Sequence, residues 1–375
     1  MLTWKCCWSK RNRVSPELVE DGNSTEHLIM AQPEQPCPLE VSSNAADYEF
    51  YQTIGQGWFG SLDIKLSRVN NMTVVVRQFN LEVLQLDQLI ELQHEMCISQ
   101  LVNHPHVIKC FTSFVHGHHL WAIQELMHYG SCADVMHSAK PFQHGFIEPV
   151  IGLVLRDVLR ALHYLHTLGY IHRSVRAKHF LISCDGTVKL SGLRTTISTI
   201  QEGTRHLAIH DHSHSTVNNI CWLAPEVLAQ DITGYTKSSD IYSVGIAALE
   251  LATGEAPYAG LPVTQIMMLK LQGHPPMLMR RNGKEVKLSS RLASIVDRCV
   301  DPNPSNRSSA HRLLSQTFFK PHKKSNYVPL TELLRPVMPL DTRKLSSGWL
   351  DNAKNEEQAT PVNSASNNDD LWTFS

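Results

Sequence analysis

Gly55-Gln56-Gly57-Trp58-Phe59-Gly60 spaces three glycines as G-x-G-x-x-G. Glycine lets backbone N–H groups approach phosphate oxygens closely, so the run suits a nucleotide. The motif is weak alone. In a dinucleotide-binding unit a helix must open at such a loop. Here Ser61-Leu62-Asp63-Ile64-Lys65-Leu66 follows and alternates like a strand. Strand, glycine loop and strand make a cover over phosphates, or a plain hairpin turn. Further on, Val74-Val75-Val76-Arg77 puts a cation at the end of a β-prone run, and Glu95 supplies a carboxylate that can pair with it. His210, Asp211, His212 and His214 invite a zinc reading. Without cysteine or a second cluster, a polar loop facing a partner is the better reading.

These pieces fall in a recognisable order. His172-Arg173-Ser174-Val175-Arg176-Ala177-Lys178-His179 fits the frame H-R-D-L-x-x-x-N, and Ser191-Gly192-Leu193-Arg194 lies in the frame of D-F-G. Leu120–Met127 reads as a strand and hinge, Ala224-Pro225-Glu226 is an intact A-P-E, and Arg307 is placed to pair with Glu226. Together the motifs resemble the protein-kinase family, sterile-20-like branch. The resemblance implies an α+β, bilobal fold, with a β-rich N-lobe over about 47–127 and a helical C-lobe over about 128–320.

The substitutions fall where the chemistry is done. Phosphoryl transfer needs a carboxylate at the substrate hydroxyl and metal ions bridging the phosphates. The catalytic-loop Asp position holds Ser174, whose hydroxyl is no useful base at neutral pH. General-base help is worth roughly 100- to 10,000-fold. The metal-holding Asn position holds His179, a poor match for hard Mg²⁺. Gly192 stands where the D-F-G carboxylate belongs, and Arg194 adds a cation nearby. Arg77 replaces the usual lysine, keeping charge but presenting a planar fork. No catalytic residue is therefore assigned, and Ser174, His179 and Gly192 are read as degenerate positions. Asp185 and Asp240 are the nearest displaced acids. Asp185 reads better as a turn residue, and Asp240 as a helix cap and loop anchor. A weakly active atypical serine/threonine kinase is the alternative.

What remains still suits a nucleotide: Ile54, Gly55, Gly57, Gly60 and Leu62 from the loop region; Val75, Arg77 and Glu95; Gln124, Glu125 and Met127 at the hinge; Leu181 and Arg194 below. Leu62, Val75 and Leu181 can sandwich an adenine ring. Arg77 and Arg194 can partly replace magnesium, so ATP bound without metal and without turnover is expected. Trp58 can instead crowd the pocket.

The elements that must position these groups are legible in part. Val69–Phe79 is β-prone. Leu81–Leu101 reads as a helix with Leu84, Leu89, Leu92, Met96 and Ser99 near one side. Ile151, Leu155, Val158, Leu162 and Leu165 make one apolar helical face. Ile241–Thr253 is a further helix, with Asp240 as its N-cap and Gly254 as its stop. Residues 1–46 read as a disordered head, and residues 321–375 as a flexible tail ending in two aromatics.

The chain of 375 residues carries 34 Lys plus Arg against 35 Asp plus Glu, a net charge of −1. That balance argues against a nucleic-acid binder relying on a basic field. The nine cysteines are odd in number and form no Cys-x-x-Cys pair, so neither a disulfide scaffold nor a structural zinc is expected. No run has signal-peptide or membrane-span character. A cytoplasmic and nuclear protein is the expectation. Cys6 and Cys7, beside Lys5 and Lys10, can be an acylation site or incidental residues of the head.

Within kinases the substituted motifs are similar to those of the STRAD family, the sterile-20-related adaptor pseudokinases. Tyr170–Ala177, Leu190–Arg194, Lys237–Ile246 and Glu332-Leu333-Leu334-Arg335-Pro336-Val337 carry the likeness. Arg77, Ser174 and Gly192-Leu193-Arg194 point to the alpha-like member. The resemblance implies an adaptor that binds the liver-kinase-B-type serine/threonine kinase as a pseudosubstrate and holds it active. A helical-repeat scaffold of the mouse-protein-25 type would complete a heterotrimer. The family ends in Trp-Glu-Phe, which docks in the scaffold. Here Trp372 and Phe374 keep the aromatics, Thr373 replaces the acid and Ser375 is added.

Overall fold

The computed structural model describes residues 41–57, 62–69, 72–201, 204–211, 219–274, 276, 286–319, 329–335 and 337–340. Strands β1 (Glu49–Gly57), β2 (Leu62–Val69) and β3 (Met72–Asn80) precede helix α1 (Leu86–Leu101), and β4 (Cys110–His116) and β5 (His119–Glu125) follow it. They form one antiparallel sheet of order β1-β2-β3-β5-β4.

Period-two alternation divides this sheet into two faces. Val74 and Val76 join Trp121 and Ile123 in a cluster with Tyr48 on one side. Phe79, Leu120 and Ala122 pack with Leu92 and Met96 of α1 on the other. Val75 and Arg77 share the parity of Phe79, so they face the cleft and α1. Val41 and Ala45 pack against the Tyr48 cluster, so ordered chain begins before residue 47, inside the expected head.

Helix α1 starts at Leu86, not Leu81. Asn80 Oδ1 accepts the Glu82 N–H at 3.0 Å, a local turn that competes with helix. Gln88 then reaches back to the Gln85 N–H at 2.9 Å. Leu84 lies outside the helix but in the same apolar cluster.

The larger lobe contains the short strand β6 (Gly130–Ser131), helices α2 (Cys132–Ser138) and α3 (Glu148–Thr167), and strands β7 (Tyr170–Ile171), β8 (Phe180–Ile182) and β9 (Val188–Leu190). Helices α4 (Pro225–Leu228), α5 (Ser238–Thr253), α6 (Val263–Leu271), α7 (Ser290–Val300), α8 (Ala310–Leu314) and α9 (Leu330–Leu333) follow. The expected face of α3 is wholly buried, Ile151, Leu155, Val158, Leu162 and Leu165 each exposing 1% or less. Helix α5 is buried all round. A Cβ at Gly245 would stand 2.6 Å from Val300 Cγ1, so only glycine lets α5 and α7 approach this closely.

Two expectations are corrected. Asp240 is not the cap of α5. The helix begins at Ser238, placing Asp240 inside its first turn. Nor is the whole of 321–375 loose tail. Leu330, Leu334 and Val337 are buried in the C-lobe core. Leu340 reaches the hinge, its N–H donating to His128 O at 2.7 Å.

Candidate functional site

The cleft roof comes from the cleft-facing parity of β1 to β3. Gly55 and Gly57 lie in β1, and Leu62 opens β2 opposite Gly57. Trp58 and Gly60 lie outside the described residues. Ile54 and Val75 are each 9% exposed. Arg77 Nη1 meets Glu95 Oε1 at 2.7 Å, tying β3 to α1, and its guanidinium lies over Phe79. Glu95 is buried, so the pair is shielded from water and salt.

At the hinge, Gln124 is buried between Val75 of β3 and Cys110 of β4. The Glu125 carboxylate is committed: it accepts the Lys109 N–H at 2.8 Å and pairs with Lys189 at 2.7 Å. The Met127 carbonyl accepts from Gly130 N. Leu181 lies on β8 opposite Lys189. Arg194 lies in a 3-10 turn, Leu193–Thr195, with Nε 3.7 Å from Glu91 Oε2 on α1. Its charge is thus shared with α1.

Ser174, His179 and Gly192 converge in one packed knot. His179 is buried, its pKa held well below the usual histidine range by burial and then by the Arg176 charge. The ring is therefore neutral, and Nδ1–H donates to Ser174 O at 2.7 Å. Gly192 has φ +85°, and a Cβ there would lie 2.5 Å from His179 Nδ1. The imidazole fills the space a side chain at 192 would need. Ser174 Oγ accepts from Asn219 Nδ2 at 3.2 Å. His172 completes the knot: Nδ1 accepts from Ser174 N at 3.2 Å, and Nε2–H donates to Ser191 O at 3.0 Å. Burial lowers its pKa too, so this ring is also neutral.

Asp240 anchors the same loop from below. Its carboxylate accepts from His166 Nε2, His172 N and Arg173 N, each at 2.8 Å. Arg173 has φ +64°, a conformation few non-glycine residues adopt. Its guanidinium donates to Thr195 O, to Tyr235 Oη at 3.1 Å, and to Asp211 O and Oδ2 at 3.2 and 3.4 Å. Tyr235 Oη–H donates to Asp211 O at 2.7 Å. A carboxylate of the chain itself thus holds the loop on Arg173.

Asp211 is half exposed, so its ion pair is worth little in stability, under about 1 kcal/mol. Asp211→Ala is expected to leave the melt nearly unchanged while speeding amide exchange over residues 204–211. Exchange as slow as in the native chain would remove the holding role.

Three features lie outside the motif frame. Lys270, in the apolar run Ile266–Leu271, donates to Cys221 O at 2.6 Å and Leu223 O at 2.7 Å, between the rings of Tyr242 and Tyr258. Burial pulls its pKa down to about 7. Glu250, the second acid of α5 after Asp240, accepts from Ala177 N at 2.9 Å and Trp222 Nε1 at 2.8 Å, and burial pushes it up to about 7. A single ionisable group within an apolar run, Lys270 in Ile266–Leu271 and Glu250 in Val244–Ala252, is the available signal of such a buried loop tie. Leu340 carried no signal. The pairing expected of Arg307 is present, bidentate to Glu226 at 2.6 and 2.8 Å.

Asp185 accepts the Thr187 N–H at 2.9 Å and the Ser183 hydroxyl, a turn as expected. His210 and Asp211 are exposed, while His212 and His214 lie outside the described residues. Among the described residues no group of three or more His, Cys, Asp or Glu could hold a metal. Likewise, no helix among them is long and apolar enough to cross a membrane. Trp372, Phe374, Cys6 and Cys7 also fall outside the described residues.

The protein kinase domain family model matches residues 48–319. Human STE20-related kinase adapter protein alpha is 35% identical, over 88% of this chain and 84% of its own length. Human STE20-related kinase adapter protein beta is 34% identical, over 79% of this chain and 80% of its own. Dictyostelium discoideum serine/threonine-protein kinase fray2 is 34% identical over 92% of this chain, but only 32% of its own length is covered. With the kinase frame intact and its likeness to the adapters running through both lobes, the chain belongs to the protein kinase superfamily, in its STE20-related kinase adapter family.

Proposed function

We propose that this chain is a catalytically inactive adaptor that binds ATP without turnover and activates a liver-kinase-B-type serine/threonine kinase. A mouse-protein-25-type scaffold, engaged by Trp372 and Phe374, would complete the assembly in cytoplasm and nucleus. The observation that carries the reading is the knot of Ser174, His179 and Gly192 inside a closed frame. Phosphoryl transfer needs oxygen donors to metal and an acceptor for the substrate proton. This knot offers a neutral ring turned onto a carbonyl, a hydroxyl engaged with Asn219, and a glycine. The donor set does not fit a hard divalent cation.

The frame around the knot is ordered by contacts that need no catalysis: Arg77 with Glu95, Asp240 with the catalytic loop, Asp211 with Arg173. When bound, ATP would supply an extra ligand joining the two lobes. Leu62, Val75 and Leu181 would sandwich its base with Ile54 beside them, while Arg77 and Arg194 would balance phosphate charge. A closed shape favoured by nucleotide and scaffold can then stabilise a partner kinase by differential binding.

Co-expression with the candidate kinase and scaffold tests the adaptor role. A stable complex with raised partner activity is expected; recovery of the partner at basal activity would sink it. Pure protein with radiolabelled ATP and Mg²⁺ or Mn²⁺ tests the alternative of a weak kinase, which the name of the Dictyostelium relative favours. No transfer is expected, and transfer abolished by Arg77→Ala would establish the alternative. In EDTA, millimolar ATP should raise the melting temperature, since a ligand bound only to the native state stabilises it. No rise would remove nucleotide from the account.

A further inference from the structure

Leu340 lies beyond residues 48–319, the span that matches the kinase family, yet it sits at the cleft. Leu330, Leu334 and Val337 anchor the segment in the C-lobe core. The chain then crosses the hinge, where Leu340 N donates to His128 O at 2.7 Å. Its Cδ1 is 3.7 Å from where a Cβ on Gly130 would stand. The side chain is 6% exposed and shares one apolar cluster with Ile54, Val75 and Leu126. Val75 is assigned above to the base and Ile54 to the same nucleotide site, and Leu126 belongs to the hinge.

We propose that Leu340 is an internal occupant of the nucleobase side of the cleft, and that a purine nucleotide enters by displacing it. The inference rests on the nucleotide reading given above. Leucine has the apolar character an adenine ring has, and its hinge bond is made by backbone, as an adenine edge would make it. The four apolar residues are already buried together, so a base can contact Ile54 and Val75 only where Leu340 has left. The apparent Kd is then the intrinsic Kd divided by the fraction of chains in which the segment is released, so binding is weakened by that fraction. Burying a leucine is worth enough to keep that fraction near one in ten or below.

The experiment uses the full chain, with Leu340→Ala and Val337→Ala as variants. ATP is titrated in EDTA by calorimetry, and amide exchange at Leu340 is followed. Leu340→Ala is expected to bind ATP about tenfold more tightly. Val337→Ala, which loosens the anchor and keeps the leucine, should tighten binding by a smaller factor. Saturating ATP should abolish protection of the Leu340 amide in the native chain. Binding detected in Leu340→Ala alone supports the proposal equally. Weaker binding by Leu340→Ala would mean that the leucine is a wall of the site, and overturns it. Equal affinities with Leu340 still protected overturn it while leaving nucleotide binding standing. Silence from both chains at millimolar ATP overturns both. Melting curves of both variants guard against a folding defect, and concordance of two substitutions at different depths removes dependence on either.

Discussion

Asp240→Ala is expected to destabilise the C-lobe by about 3–5 kcal/mol, enough to unfold much of a protein of ordinary stability. The carboxylate is wholly buried and receives three hydrogen bonds at 2.8 Å. Truncation leaves His166 Nε2 and the N–H groups of His172 and Arg173 without their acceptor. Each buried orphan costs about 1–3 kcal/mol. The loss also falls on Arg173, whose left-handed backbone is held by that acceptor. Asp240→Asn should cost less, because its amide oxygen can keep some of the bonds. Chemical denaturation of the three chains checks the order native, Asn, Ala. Equal midpoints for native and Ala would show that the loop is anchored elsewhere.

Acid should act on the same loop. Burial raises the Asp240 pKa, but the hydrogen bond and charge of His166 outweigh it, and the net shift is downward. A depressed carboxylate contributes stability above its unfolded value of about 3.9 and loses it as pH falls through the folded pKa. His172 and His179 are held neutral by burial, with folded pKa values below the unfolded value of about 6.5. In that window the unfolded chain binds more protons, so stability falls as pH drops below about 6.5. Glu250, pushed up to about 7, works in the opposite direction between its unfolded value and 7. The histidine share is therefore read as a difference: His179→Asn should flatten the acid limb below pH 6.5 relative to the native chain. An unchanged slope would mean that His179 is not the group being protonated.

The fold departs from what local sequence patterns indicate at identifiable places. Motif order exposed the kinase frame because each motif has a fixed role relative to the cleft. The β-branched run within Val69–Phe79 exposed β3 because strand propensity is local, but a continuous apolar run does not tell which face each side chain takes. What was missed is tertiary. The start of α1 turns on an Asn80 side chain that competes with helix. An acid inside a first turn gives the same local pattern as one before it, so Asp240 has the sequence signature of a cap without being one. The roles of Lys270 and Glu250 depend on distant carbonyls and amides, which no local pattern displays. Leu340 reads as loose tail in the sequence because short apolar segments among polar residues have no period to reveal a docking partner. Within the candidate site, the residue types at 174, 179 and 192 were plain. Their mutual contact was not: nothing in the sequence says that the ring at 179 occupies the volume of a missing side chain at 192.

That contact makes restoring Gly192 to an acid costly. Gly192→Asp is expected to destabilise the protein by about 3 kcal/mol, from two separable sources. An L-residue at φ +85° carries backbone strain of about 1–2 kcal/mol. Its Cβ would also fall 2.5 Å from Nδ1, 2.7 Å from Cε1 and 2.8 Å from Cγ of His179, so the ring must leave its place. Expulsion breaks the bond to Ser174 O and overpacks the knot, for a further 1–2 kcal/mol or so. Asparagine at 179 is smaller and lacks the ring. In Gly192→Asp/His179→Asn the steric part should vanish and the backbone part remain. A double-mutant cycle should then return a coupling of about 1–2 kcal/mol. A coupling near zero would mean that the two residues do not compete for space. The same series bears on metal binding. An acid at 192 has room to hold a cation only once the ring is gone, and a base is present only once Ser174→Asp is added. Magnesium-dependent stabilisation by ATP is therefore expected in the triple variant and absent from Gly192→Asp alone. Gly192→Asp that folds as firmly as the native chain and responds to magnesium would show that the cleft had room for metal all along, and that serine at 174 is the main obstacle to turnover.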